Sequence, residues 1–95
     1  MTFLSEHTKE YTLVGKKVIV KWKVPTVEEF DEFVLGNKRL TELFKSFVKE
    51  IRSEIPELDG AFPSEVLKLP GLFGFVSKVG KDIERSAMLT DDEKN

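Results

Sequence analysis

Residues 10–24 read Glu-Tyr-Thr-Leu-Val-Gly-Lys-Lys-Val-Ile-Val-Lys-Trp-Lys-Val, and this stretch decides the fold class. Its β-branched and aromatic residues favour strands, and a single glycine interrupts them. From residue 17 onward, the side chains alternate with the two-residue period of a strand. One face takes Val18, Val20, Trp22 and Val24, and the other takes Lys17, Ile19, Lys21 and Lys23. The pattern predicts a two-stranded antiparallel hairpin that turns near Gly15-Lys16. Because an isolated hairpin is only marginally stable in water, its apolar face must pack on helices.

Helical signals follow the hairpin directly. Thr26 is a good helix N-cap, and Glu29 three residues later completes a capping box. The acidic residues that come next favour the positive end of a helix dipole. A first helix is therefore predicted over residues 27–35. Its apolar stripe consists of Val27, Phe30 and Val34.

Two further amphipathic helices and a short helical turn are predicted after the first helix. The second helix is predicted over residues 38–54, because apolar residues recur there at three- and four-residue spacing. These residues are Leu40, Leu43, Phe44, Phe47, Val48 and Ile51. A helical turn is predicted over residues 64–69 and a third helix over residues 72–87. Gly80 lies beside the stripe of this third helix, where it either permits close helix approach or is simply tolerated.

The predicted fold class is α+β, with an N-terminal two-stranded antiparallel β-hairpin packed on about three amphipathic helices plus a short helical turn. The 95 residues suffice for one domain, expected over residues 1–89 with a polar tail over residues 90–95. With 40% hydrophobic residues and eight Phe, a packed core is expected, and 34% charged residues provide a solvated surface.

Composition also bears on location. The chain has no cysteine, which excludes disulfides and thiolate chemistry and fits a reducing compartment. No apolar run is long enough to span a bilayer, and residues 1–7 lack the basic and apolar regions of a secretory signal. A cytoplasmic protein without a membrane partner is expected.

The residues that enzymes use are sparse in this sequence. His7 is the one histidine, and we expect it to be exposed and idle in the N-terminal segment. The acidic run over residues 28–32 is explained by its place at a helix N-terminus. The serines follow no nucleophile motif, and residues 71–74 lack the Lys-Ser/Thr of a phosphate loop. We expect a protein that is not an enzyme and uses no metal or cofactor.

The lysine-rich hairpin is the main alternative functional feature. Residues 9–23 contain five lysines and one acid, while the whole chain has a net charge of −2. Lysines on an exposed edge strand discourage aggregation, and such an edge can also pair with a strand of another protein. The competing hypothesis is nucleic-acid binding through Lys17, Lys21 and Lys23. Trp22, however, is predicted to face away from Lys21 and Lys23, which favours the solvated edge.

Phenylalanines supply the candidate residues for a protein partner. In so short a chain most of them are expected in the core, while one or two can form an exposed patch. The candidate partner-binding residues are Phe33, Phe44, Phe47, Phe62, Phe73 and Phe75.

The order of these features resembles that of the tail assembly chaperones of long-tailed bacteriophages. The resemblance begins where the Gly-punctuated hairpin runs into Pro25-Thr26-Val27-Glu28-Glu29-Phe30. It continues in a Phe/Val/Ile-striped helix ending at Ile55-Pro56-Glu57-Leu58-Asp59-Gly60, and in Leu69-Pro70-Gly71-Leu72 before the last helix. A polar terminus over residues 90–95 completes the resemblance, which covers most of the chain but contains no catalytic motif.

The resemblance implies a non-enzymatic, oligomerising protein of the host cytoplasm. Members of this family coat the helical tape measure protein, keep it soluble and help to bring tail tube subunits to it. Many are made in two lengths by a ribosomal frameshift, with which the terminal Lys94-Asn95 is compatible. The alternatives are a small nucleic-acid-binding or regulatory protein that uses the lysine-rich hairpin, and a minor structural component of the particle.

Overall fold

The N-terminal hairpin turns at Val14-Gly15, one residue before the predicted position, and both residues have positive φ. The computed structural model describes residues 5–37 and 39–88. Strand β1 (Glu6–Leu13) pairs with β2 (Lys16–Lys23) in an antiparallel register that places Leu13 opposite Lys16. A two-residue loop with positive φ at both positions matches the right-handed twist of the flanking strands.

The sheet has three strands rather than two, because the second half of the predicted 38–54 helix is a strand. Helix α1 (Val27–Leu35) lies where it was predicted, and α2 (Leu40–Phe47) is followed without a loop by strand β3 (Val48–Ser53). Strand β3 pairs antiparallel with β2, so the sheet order is β1-β2-β3 and the lysine-rich β2 is the central strand.

A β-bulge explains why β3 has the sequence pattern of a helix. Val48 lies opposite Trp22, while Glu50 lies opposite the preceding residue of β2, Lys21, so Lys49 is an extra residue on β3. This extra residue places Val48 and Ile51 on the same buried face although they are three positions apart. Spacing of three is typical of a helix, and pairing with β2 here overrides the helical prediction.

The remaining elements complete the α+β fold. Helix α3 (Pro63–Val66) replaces the turn predicted over residues 64–69, and α4 (Phe73–Ser86) agrees with the helix predicted over residues 72–87 to within one residue at each end. The predicted polar tail over residues 90–95 lies outside the described residues. None of the helices in the described ranges is long and apolar enough to cross a membrane.

The core lies between one face of the sheet and helices α2 and α4. The sheet contributes mainly β-branched and aromatic side chains that are almost completely buried: Val18, Val20, Trp22 and Ile51. The helices contribute Leu43, Phe44, Phe75, Val76, Val79 and Ile83. Three side-chain hydrogen bonds attach α4 to the strands: from Lys9 (3.0 Å) and Tyr11 (2.7 Å) to Asp82, and from Trp22 to Ser86 (3.1 Å).

Candidate partner-binding groove

Helix α1 is fixed at its start by a complete capping box. The Glu29 backbone N–H donates to Thr26 Oγ1 (3.2 Å), and the Thr26 backbone N–H donates to Glu29 Oε1 (2.9 Å). Lys23 at the end of β2 donates to Glu29 Oε2 at 2.6 Å. The hydrogen bond from Lys23, followed by that from Thr26, lowers the pKa of Glu29 below its usual value. The first turn of α1 is therefore held against the end of the central strand.

The rest of α1 lies at the margin of the core, against which Phe33 is partly buried. None of its nine residues is buried by the described part of the chain. Val27 and Val34, two members of the predicted stripe, are 80% and 58% exposed. The third member, Phe30, is half-buried and stacks on Phe33 with ring centroids 5.8 Å apart. An amphipathic helix whose apolar stripe faces solvent is a feature of binding surfaces.

Two adjoining cavities lie beside α1. The first, of about 210 Å³, separates α1 from α2 and is lined by Glu29, Glu32, Phe33, Glu42, Ser46 and Phe47. The second, of about 420 Å³, extends towards α4 and includes Phe33, Arg39, Leu40, Phe73 and Glu84 in its lining. Because Phe33 lines both, we treat them as one continuous depression and call it the α1 groove.

Comparison with known proteins gives no relative of this chain: it matches no family model, no curated protein and no solved structure. What the protein does must therefore be inferred from its own residues.

The six candidate phenylalanines fall into three groups. Phe44 and Phe75 are core residues that contact each other edge to face, so the prediction that they meet a partner is wrong. Phe33, Phe47 and Phe73 line the α1 groove, and Phe73 is 77% exposed. Phe62 is 69% exposed at the start of α3 but lines neither cavity of the groove. Three of the six candidates are thus brought together on one surface.

The lysines of the hairpin do not form a free basic patch. Lys21 pairs with Glu6 (3.3 Å), and Lys23 pairs with Glu29 (2.6 Å). Near Lys17 lies Glu54, whose Oε1 accepts a hydrogen bond from the Lys17 backbone N–H at 2.8 Å. Because β2 is the central strand, these three lysines do not lie on the edge strand of the sheet that the sequence had predicted.

Lys9 lies on the opposite face of the sheet from Lys17, Lys21 and Lys23. It is two residues from Tyr11 in β1, so both side chains point to the same, buried face. Its ammonium group pairs with Asp82 of α4 at 3.0 Å, and Tyr11 donates to the same carboxylate oxygen. Burial raises the pKa of Tyr11, and the hydrogen bond to Asp82 raises it further. Through these contacts, Lys9 and Tyr11 of β1 hold α4 against the sheet.

His7 also differs from its prediction. It lies in β1, is half-buried, and packs on Trp22 with ring centroids 4.9 Å apart, so it is not the exposed residue that was predicted. Within residues 5–37 and 39–88, no three His, Asp or Glu side chains are grouped so that they could hold a metal ion.

Sequence reasoning placed candidate phenylalanines on the helices that line the groove but did not predict that α1 borders it, because no local pattern shows whether an apolar stripe meets the core. One signal was present. The segment over residues 24–37 has four acids and no base, so its polar face carries charge of a single sign. Such a face is complementary to a partner of positive charge.

Proposed function

We propose that this protein is a non-enzymatic tail assembly chaperone of a long-tailed bacteriophage. It acts in the host cytoplasm as a homo-oligomer, binds and solubilises the tape measure protein, and helps to recruit tail tube subunits. The proposal combines the family resemblance of the sequence with one structural observation, the uncovered apolar stripe of α1 beside the α1 groove.

A groove between helices suits an elongated helical partner. Such partners place residues at three-, four- and seven-residue spacing into hydrophobic depressions, and binding many copies side by side raises the overall avidity. The half-buried Phe33 and Phe47 and the exposed Phe73 supply apolar contacts at the walls of the groove. Glutamates around them keep the free protein soluble.

The nucleic-acid hypothesis receives less support from the charges. Binding to a phosphate backbone needs lysines that can neutralise phosphates and so release the counterions condensed on the nucleic acid. Two of the three candidates are already paired with carboxylates. In a filter or gel-shift assay, the native chain should bind DNA and RNA only at background level. Replacing Lys17, Lys21 and Lys23 by Glu should not change this level. Salt-dependent binding by the native chain that this triple variant loses would favour the alternative.

Co-expression tests the proposed function directly. A tape measure fragment encoded shortly downstream of this gene should become more soluble when the two are produced together, and the pair should co-elute on size exclusion. Absence of such a gene nearby, or a fragment that stays insoluble and uncomplexed, would count against the chaperone proposal.

A further inference from the structure

The α1 groove is suited to binding a helix rather than a strand. Both cavities are lined by residues of the α1–α2 and α4 region, and no residue of β1, β2 or β3 lines them. A partner strand would need free backbone groups at a sheet edge, whereas side-chain walls accept the side chains of a helix.

The apolar surface is also long enough for a helix. Phe33 in the groove stacks on the half-buried Phe30, which lies on α1 between the exposed Val27 and Val34. Because these two valines are seven residues apart, they span about 10 Å along the axis, or two helical turns. The apolar surface therefore continues from the groove along α1 for two helical turns, which is long enough to contact a partner helix.

The charge around this apolar surface is predominantly negative. Glu29, Glu32 and Glu42 line the first cavity, and the second adds Glu84 together with a single arginine, Arg39. Lys23 compensates Glu29. The outer part of α1 contributes two further acids, Glu28 and Asp31. A partner with acidic borders would be repelled here, and one with basic borders would be attracted.

We propose that the α1 groove binds one amphipathic helix whose apolar stripe is bordered by lysine and arginine. This inference rests on the proposed function and specifies the chemistry of the segment that the chaperone binds. The apolar stripe of the partner lies against Phe33 and Phe73, and its basic borders meet Glu32 and Glu42.

Two synthetic helices test the proposal. The first is a peptide of about 20 residues with Leu at three- and four-residue spacing and Lys at the flanking positions. The second keeps every Leu and replaces the flanking Lys by Glu. With fluorophore-labelled peptides and the whole protein, anisotropy should give a Kd at least about tenfold lower for the Lys peptide. The difference should shrink as salt rises from about 0.05 to about 0.3 M, because salt screens charges near the surface.

Matched protein variants locate the binding. Glu32→Lys with Glu42→Lys should weaken binding of the Lys peptide by about tenfold or more, because both substitutions place like charge beside the peptide. Glu10→Lys with Glu57→Lys changes the net charge equally at exposed positions away from the groove and should leave the Kd unchanged. Circular dichroism of both variants monitors the fold.

Each other outcome overturns the inference. Equal binding of both peptides would show that the groove does not select basic helices, and equal weakening by both variant pairs would indicate unspecific charge attraction. If the protein alone forms a dimer that Glu32→Lys with Glu42→Lys dissociates, the occupant is a second copy of the chain. If neither peptide binds but the tape measure fragment still co-elutes, this inference fails and the chaperone proposal stands. If both experiments fail, both proposals fall.

Discussion

Gly80 of α4 lies directly against Leu40 of α2, so that a Cβ atom added to Gly80 would be 2.6 Å from the Leu40 carbonyl oxygen. The sequence did not show whether this glycine permits close helix packing or is merely tolerated. The short distance to Leu40 shows that it permits close packing of α4 on α2. The two helices that form a wall of the α1 groove are thereby held at a short distance.

Gly80→Ala should therefore destabilise the protein although alanine is the better helix former. Displacing Leu40 or the α4 backbone costs about 1–3 kcal/mol, which equals or exceeds the gain in helix propensity of about 1 kcal/mol. Gly74 in the same helix provides the control, since a Cβ added there meets no atom within 4 Å. Gly74→Ala should be neutral or slightly stabilising in urea denaturation, and a stabilising Gly80→Ala would contradict the close contact.

Val14 should be a site where substitution stabilises the fold. This β-branched residue has a φ of 50° and is 91% exposed at the tip of the hairpin. The left-handed conformation disfavours β-branched side chains, whereas Asn adopts it readily. Val14→Asn should raise the free energy of unfolding by about 1 kcal/mol. Val14→Thr keeps the β-branch and should bring no such gain, and equal melting temperatures for the two variants would argue against strain at this turn.

The attachment of α4 to β1 should make stability depend on acidity. Burial alone would raise the pKa of Asp82, but the hydrogen bonds from Tyr11 and Lys9 and the charges of Lys9 and Arg85 together lower it. Because the folded-state pKa lies below the unfolded value, the ionised carboxylate stabilises the fold above the unfolded pKa. This contribution is lost as the pH falls through the folded pKa.

Asp82→Asn tests this linkage. At neutral pH the variant should lose about 1–3 kcal/mol, since the side chain is mostly buried and its charged hydrogen bonds are weakened. The difference between native protein and variant should shrink once the pH drops below about 4. A difference that stays constant down to the acid transition would mean that Asp82 is not the titrating group. Urea titrations at several pH values give the measurement.

The phenylalanines should separate into binding and structural residues. Phe33→Ala with Phe73→Ala should weaken retention of the tape measure fragment while the protein still unfolds cooperatively. Phe62→Ala removes a ring outside the α1 groove whose exposure is similar to that of Phe73, and it should leave retention unchanged. Phe44→Ala, by contrast, should cost about 3–5 kcal/mol of stability because the ring is completely buried. Equal loss of retention for Phe62→Ala and the double variant would remove the groove as the binding surface.

Much of the fold follows from local signals, and the exceptions have identifiable physical causes. The capping box at Thr26 and the alternation around Trp22 act over a few residues, so α1 and β2 agree with their predictions. Residues 48–53 do not, because the bulge at Lys49 produces an apolar spacing that a helix would also produce. Only the pairing with β2, which lies about thirty positions earlier in the chain, distinguishes a bulged strand from a helix at these residues.

The candidate site was less accessible to sequence reasoning than the fold. Phe44 and Phe47 are three positions apart on one helix, yet the first is buried in the core and the second lines the groove. Their difference depends on where α1 and α4 lie relative to α2, which is a property of tertiary packing. The uncovered stripe of α1 has the same origin, since an identical stripe would be buried if the helix turned towards the sheet.

The direct junction of α2 with β3, where Phe47 is the last helical residue and Val48 the first of the strand, limits how this chain can vary in length. One inserted residue there would rotate the preceding helix by about 100° relative to the sheet, or else shift the strand so that its side chains exchange faces. Neither change can be absorbed, because no loop separates the two elements. Natural variants with insertions or deletions should therefore carry them at the hairpin tip or between residues 54 and 62, while the length over residues 40–53 stays constant.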